Sequence, residues 1–580
     1  MKIKVSDFIV QYLSKIGVKY IFCLPGAPLL PFFDALYRNK SIETILVKHE
    51  EAAAAMADGY ARVSGKMGVC CATTGPGTTN LITGIAEAYM DGIPMLVITA
   101  QVPLYCYGKG TFQDSSMEGL NTAYLLKQIT KLSTTVLSKH RVVDTLNKAY
   151  ICAHSGKKGP VHLSFPTEIF SEVIDFDWSD GQLEQCLAAY TSLNQYYNRK
   201  LVHDAANQIL NAKKPLLLAG FGAVSSRASG EIMELAEQLN IPVVTSYRAK
   251  GVIADDHPLY LGSVGLGGAP SAEDYIHTQE IDVLLAVGTD LDEFTTNSWD
   301  PKFRPLKSLI HIDVQPETIG KNYPTNICLV GDAKTILTEI NLRIFKAIHG
   351  GKYKIKTSKE EIAEWKSKTT KIIDAHKMES LSVPLLPQRL THEIRQALPR
   401  DAIVFCDGAN NLIFTVHYMP FYQPGTFIIG GYGNMSYGTM AVIGGKIAAP
   451  DRVVVAISGD GGFLMNGMEV STAVNHNIPV IWIIHNNGVL GAVHDLQKLL
   501  YGERYIATSF KRTDFKTVAE GLGAAAYRIA CPNELLQIMP EIIAAKRPTV
   551  IDAIIDDQEI PPIRNRIEGK KRLMESLLKE

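Results

Sequence analysis

The sequence predicts an α/β protein made of doubly wound parallel sheets, and three observations carry that expectation. Short β-branched apolar runs alternate with helical patterns along most of the chain, and glycine-rich loops close many of the runs. One such unit is explicit between Ser458 and Asn487. There Val453-Val454-Val455-Ala456-Ile457 reads as a buried parallel strand and Gly459-Asp460-Gly461-Gly462 lets the backbone approach a ligand. A helix from about Gly467 to Asn475 follows, and a second strand, Ile478 to Ile484, ends at Asn486-Asn487. Finally, 580 residues exceed one ordinary core, so about two to four domains are expected.

Three α/β units and a tail account for the chain. The first, residues 1–175, opens on an amphipathic helix (MKIKVSDFIVQYLSKIG). Its strands are Tyr20 to Leu24, Thr44 to Val47, Gly68 to Thr73, Met95 to Thr99 and a closing run at Gly159 to Pro166. Asp175 to Leu193 is polar without a clear period and reads as a linker. The middle unit, residues 195–345, has strands at Pro215 to Ala219, Pro242 to Thr245, Val283 to Val287 and Ser308 to Asp313. Lys352 to Lys377 is highly charged with helical spacing and reads as a solvated connecting helix. The third unit spans residues 385–560, and the tail, 561–580, is basic and then helical.

Composition narrows the function class. Hydrophobic content of 46%, charged content of 20% and a net charge of −1 describe a globular enzyme and give no support for a nucleic-acid partner. Nine cysteines with no CxxC pair suggest reduced thiols rather than a disulfide framework. No signal peptide and no apolar run of membrane-spanning length is evident, so a cytoplasmic protein without a membrane partner is expected.

Asp460 and Asn487 stand at the carboxyl ends of two expected strands, where open α/β sheets bind ligands. A carboxylate and an amide oxygen are hard donors suited to Mg²⁺ that also grips a diphosphate, and no Cys/His cluster lies here to favour zinc or iron. The Gly-Asp-Gly, the 24 residues from 462 to 485, and the Asn pair together resemble the signature of thiamine diphosphate (ThDP) enzymes. With HEEAAAAMADGYAR, TTGPGTTN and TFQD in the first unit, and HIDVQPETIGKN and VGDAK in the middle, residues 1 to about 560 are similar to the acetolactate synthase and pyruvate oxidase group.

That resemblance implies three parallel-sheet domains: pyrimidine-binding, central and diphosphate-binding. It also implies roles. Glu50 would hydrogen-bond N1′ of the cofactor's aminopyrimidine, a task that needs a carboxyl able to share a proton in an apolar pocket. Gly26 and Ala27 would face the reacting carbon, and Pro76 and Asn80 would lie near the pyrimidine. Gly408, Ala409, Asn410 and Asn411 would hold one side of the diphosphate at a helix start. Gly433 and Met435 would form the wedge beneath a bent cofactor. Gly459, Gly461 and Gly462 would surround the metal ligands Asp460, Asn487 and the Val489 carbonyl, with Leu490 and Gly491 lining the cofactor. Gln113, where simple decarboxylases place a His pair, would contact reaction intermediates beside Phe112, which favours carboligation over aldehyde release.

Two departures bear on the acceptor. The segment Gly288-Thr289-Asp290-Leu291-Asp292-Glu293-Phe294 has Phe294 where the group carries an Arg for an acidic second substrate. Leu496 stands in place of its specificity Trp. A neutral ketone or aldehyde gains ground. Asp290 replaces an Arg near the group's flavin, while HIDVQ and Gly220-Phe221-Gly222 suit a nucleotide, so FAD is left open. The expected activity is decarboxylation of a small 2-oxo acid such as pyruvate and ligation of the acyl unit to a carbonyl acceptor. The expected assembly is a homo-oligomer with the dimer as minimal active unit and a tetramer as the full state. Alternatives are a flavin-dependent pyruvate oxidase-like enzyme, a ThDP-dependent decarboxylase or hydrolase, and a non-catalytic effector-binding protein.

Overall fold

The structure, a computed structural model, describes residues 2–176, 196–351, 353 and 355–577. The expected linker therefore falls almost wholly outside the described residues. Three six-stranded sheets dominate, every pairing within them parallel.

In the first sheet the order is Glu43–Leu46, Tyr20–Leu24, Gly68–Ala72, Met95–Gln101, Pro160–Pro166, Leu132–Thr135. Gly68–Ala72, Met95–Gln101 and Pro160–Pro166 are buried at every position, because helices cover both faces of a parallel sheet. The third sheet repeats this winding: Phe427–Ile429, Ile403–Cys406, Val454–Gly459, Ile481–Asn486, Thr549–Ile554, Ala525–Ile529. The middle sheet runs Tyr260–Val264, Val243–Ser246, Pro215–Ala219, Val283–Val287, Ser308–Asp313, Ile327–Val330, the order of a dinucleotide-binding fold. In each sheet the winding reverses beside its first strand in the chain, and that switch point opens a crevice at the carboxyl ends.

The first and third units share one apolar core in addition to a further one in each, and the middle unit has its own. Their contact is made by helix Glu50–Ser64 lying along helix Tyr437–Ala448. Glycines set the spacing. A Cβ at Gly59 would run into the Ala441 carbonyl, and one at Gly444 into the Met56 carbonyl. Each helix begins at a loop of the expected site, so this crossing fixes both loops against each other.

Several expectations need correction. The Gly-rich run after Val454–Gly459 is not an open loop: helix Asp460–Asn466 starts within it, with an acidic residue in the first turn where the helix dipole favours one. The next strand starts at Ile481 rather than Ile478, since Pro479 has no N–H for a ladder. Among its described residues the charged stretch forms one α-helix, Lys359–Lys368, and runs into a 3-10 turn, Ala375–Glu379. That helix is docked rather than free: Ile362 is buried and the Trp365 indole donates to the Ser271 carbonyl at 2.9 Å. The amino terminus adds a short strand, Lys2–Lys4, antiparallel to Val173–Asp175, before helix Val5–Lys15.

Candidate functional site

The third sheet's crevice is a cavity of about 130 Å³ bounded by the loops after Ile403–Cys406, Val454–Gly459 and Ile481–Asn486. It gathers Gly408, Ala409, Asn410 and Asn411, Met435, Gly459 to Gly462, Asn487, and Val489 to Gly491. Adjacent register, Gly459 opposite His485, brings Asp460 and Asn487 side by side.

The Asp460 carboxylate is 2% exposed and set by the backbone. Its Oδ1 accepts the Gly461 N–H at 2.8 Å and its Oδ2 those of Asn487 and Gly488 at 3.0 and 2.6 Å. Burial raises its pKa, and those three N–H groups oppose the rise. Helix Asn410–Tyr418 points its first turn into the same space, a place suited to an anion. Ala409 before it holds φ 69° and ψ −148°, a conformation normally left to glycine. Asn410 donates to Asp495 at 2.7 Å, and a Cβ on Gly491 would strike the Asn410 amide at 2.8 Å. Met435 and Leu490 converge above Gly461, whose Cβ would meet them at 3.6 and 2.7 Å. Gly433 does not line the cavity, although it precedes Met435.

A second cluster occupies the first sheet's crevice. Glu50 opens helix Glu50–Ser64, capped by the His49 side chain, which accepts from Glu51 N at 3.2 Å. Its carboxyl is 6% exposed, and its Oε2 accepts from the Asn80 amide at 2.9 Å. Gly77 passes so close that a Cβ there would lie 3.3 Å from Glu50 Oε1. Gly26 abuts Thr73 across the switch point, with Ala27 exposed in the following turn and Pro76 exposed at the start of helix Pro76–Asn80. Gln113 sits with φ 56° against Gly75. Its carbonyl accepts from Thr74 Oγ1 at 3.1 Å and Ser115 Oγ at 3.3 Å.

Comparison with known proteins gives both clusters a domain context. Residues 3–119 match the thiamine pyrophosphate enzyme N-terminal TPP binding domain, 202–340 its central domain and 407–553 its C-terminal TPP binding domain. The chain belongs to the thiamine pyrophosphate enzyme family. It is 35% identical to a probable acetolactate synthase large subunit of Methanococcus aeolicus, over 96% of this chain and 93% of that one. It is 33% identical to the acetolactate synthase large subunit of Haemophilus influenzae, over 96% and 95%. With the acetolactate synthase isozyme 3 large subunit of Escherichia coli the identity is 32%, over 96% and 95%.

One cluster lies in each matched TPP binding domain, and none of the residues around the 130 Å³ cavity comes from the first unit. Within one chain the two units are tethered beside these clusters. Glu469, in the turn after helix Asp460–Asn466, accepts the N–H groups of Lys48 and His49 at 2.9 Å each.

The acceptor-side residues fare differently. Phe112 is 85% exposed and lines no described cavity. Phe294 packs edge-on to Tyr247 and lies beneath the tail helix, with the Arg566 guanidinium 4.8 Å from its ring centroid. Leu496 is half-buried on helix Gly491–Tyr501 and does not line the cavity. Three cavity residues carry no sequence signal of their own. Asp407 is buried and accepts from Ser458 Oγ and Gly438 N, each at 2.6 Å. His485, pushed down to about 4 by burial, is neutral with Nε2 unpartnered. Glu559 reaches the cavity from beyond the last strand.

Proposed function

We propose that this thiamine pyrophosphate enzyme is a Mg²⁺-dependent carboligase, acetolactate synthase-like, that decarboxylates a small 2-oxo acid such as pyruvate and ligates the acyl unit to a carbonyl acceptor. The observation that carries the reading is a buried carboxyl, Glu50, after the edge strand Glu43–Leu46 at the carboxyl end of the first sheet, together with the Asp460 and Asn487 oxygens after two adjacent strands at the carboxyl end of the like-wound third sheet. An all-oxygen donor set fits Mg²⁺.

Asp460, Asn487 and the Val489 carbonyl would hold the metal, and the first turn of helix Asn410–Tyr418 would hold the diphosphate. Met435 and Leu490 shape the apolar wall above them. When bound, thiamine diphosphate supplies the carbon that attacks the 2-oxo acid and carries its acyl unit. Glu50 holds a proton at the pyrimidine nitrogen, with Asn80 fixing its second oxygen. Gln113, locked by Thr74 and Ser115, offers its amide to the acceptor side.

The assembly proposed is a homodimer at least, and a tetramer in full. Exposed apolar side chains flank both half-sites: Phe112, Met117, Leu120 and Tyr124 around Gln113, and Leu464, Met465 and Met468 after Asp460. A second copy would cover them and bring Glu50 to the partner's cavity. Activity retained by a proven monomer in a dilution series would refute this. A cytoplasmic location suits the eight described cysteines, all free thiols.

The middle crevice, a cavity of about 150 Å³ crossed by Gly222 and Gly288, suits a nucleotide such as FAD. Its lining holds five aspartates (91, 290, 292, 313 and 332) against Lys157, Lys158 and Arg248. A diphosphate there would have to lie against the lysines, and the flavin is proposed without a role in the reaction. Stoichiometric flavin absorbance in the purified protein tests it.

One observation favours a 2-oxo acid acceptor over a neutral carbonyl: Arg566 returns a guanidinium to the Phe294 position. Incubation with ThDP, Mg²⁺ and pyruvate against a panel of oxo acids, ketones and aldehydes, read by product mass, decides between them. Acetaldehyde or acetate as the only products would overturn the carboligase reading.

A further inference from the structure

A third cavity, of about 400 Å³, lies between the middle unit, the connecting segment and the third unit. Its volume falls in the range of small-ligand pockets, about 300–1,000 Å³. No residue of either thiamine diphosphate cluster lines it.

Its charge is one-sided. Lys250 comes from the middle unit, Lys371 from the connecting segment, and Arg395 and Arg400 from the third unit. Asp255 is the one acidic residue in the lining. Asp255 is already committed: its Oδ1 meets Lys250 and Lys371 at 3.2 Å each, and its Oδ2 accepts the Phe421 N–H at 2.8 Å. At the rim Asp256 pairs with Arg400 at 2.7 Å, both side chains more than half exposed. Even counting that pair, two positive charges are left over. The two histidines add none. His417 is pushed down to about 4 by burial, with its ring nitrogens taken by the Gly267 carbonyl and the Ile373 N–H. Burial and Arg389 lower His392 as well.

Two of these cations are deeply placed. Lys250 is 6% exposed and Arg395 is 7% exposed. Arg395 Nη2 donates to the carbonyls of Leu398 and Pro399, while its Nη1 has no partner. Burial lowers the pKa of both groups; Asp255 opposes the fall at Lys250 and Tyr422 and Asp401 oppose it at Arg395, while Lys371 and Arg400 repel them. Lys250 shares Asp255 with Lys371, and the Arg395 Nη1 is left unpaired; a buried cationic donor without a partner is unfavourable unless something supplies one. Arg400 is itself held flat on Tyr422, 3.6 Å from the ring centroid, which pre-orients its fork at the mouth.

We propose that this interdomain cavity is a binding site for a small organic polyanion whose phosphate or carboxylate oxygens bridge Arg395 and Arg400 to Lys371 and Lys250. Such a ligand ties the middle and third units together through the connecting segment. The site is independent of the reaction assigned above.

The test uses the full chain saturated with thiamine diphosphate and Mg²⁺, so that the diphosphate cavity is filled. Inorganic phosphate and succinate, which bind Mg²⁺ weakly, are titrated separately by calorimetry at low ionic strength. The expected result is one saturable site per chain for at least one probe; phosphate alone marks a phosphorylated ligand and succinate alone a polycarboxylate. Lys371→Gln with Arg400→Gln, both partly exposed and compatible with folding, should weaken that binding at least tenfold. Lys157→Gln with Lys158→Gln, in the middle crevice, should leave it within twofold. No saturable binding of either probe overturns the proposal. So does an affinity unchanged in the Lys371/Arg400 variant, or one lost only in the Lys157/Lys158 variant.

Discussion

The Glu469 carboxylate accepts the backbone N–H of His49 at 2.9 Å, one residue before Glu50. A buried acid from the third unit thus sets the backbone that presents the key carboxyl of the first. Burial raises its pKa, while Thr472 Oγ1 and the N–H groups of Lys48 and His49 stabilise its charged form. Glu469→Ala should cost about 1.5–3 kcal/mol in chemical denaturation for the lost charge-assisted bonds. Activity should fall further than that of Glu469→Gln, which keeps an acceptor oxygen. Equal activity in the two variants would deny Glu469 a positioning role.

The glycine crossing predicts a second effect. Gly444→Ala places a methyl against the Met56 carbonyl, so the two helices must separate. Overpacking of this kind costs roughly 1–3 kcal/mol, and the same shift moves both site loops. Calorimetry should show a lowered Tm together with weakened cofactor retention. An unchanged Tm would mean that the helices do not pack at this spacing.

Much of the sheet framework is legible in the sequence because the central strands are buried on both faces. Pro215–Ala219, Val283–Val287 and Ser308–Asp313 stand where their apolar runs predict. Edge strands are harder to read: Leu132–Thr135 is half-exposed and polar at three of four positions. The helix at Asp460 is hidden by its glycines, which suggest a loop although close packing against Leu490 and Asp407 explains them. The motif loops announce themselves by spacing. Asp407, His485 and Glu559 do not, since only strand order brings them to the cavity.

Middle-unit stability should depend on pH through Glu273. Its carboxyl is 2% exposed and is pushed up to about 7 by burial, against the N–H of Gly265 and the amide of Asn297. Between its ordinary value of 4.5 and about 7 the folded state holds a proton that the unfolded state has lost. Unfolding free energy therefore falls as pH rises through that window, by on the order of 3 kcal/mol. Glu273→Gln should flatten the slope and raise stability above pH 7, read by denaturation across pH 4.5–8. A slope unchanged by the substitution would place the titration elsewhere.

Asp460 supplies the only carboxylate in the proposed metal set. Asp460→Asn keeps its shape but not its charge. Losing a charge-assisted interaction of about 1.5–3 kcal/mol should raise the Mg²⁺ concentration needed for half-maximal cofactor retention by roughly tenfold or more. Chelation of Mg²⁺ from the unaltered protein should release the cofactor on gel filtration. Retention independent of Mg²⁺ in both proteins would remove Asp460 from the metal site.

Glu50 is proposed to activate the bound cofactor. Hydrogen–deuterium exchange at C2 of bound thiamine diphosphate tests it most directly, in the unaltered protein and in Glu50→Gln. Exchange should slow by about a hundredfold or more in the variant, a span typical of general acid–base groups, with cofactor affinity changed only a few fold. Exchange at the unaltered rate in a folded, cofactor-loaded Glu50→Gln would contradict it.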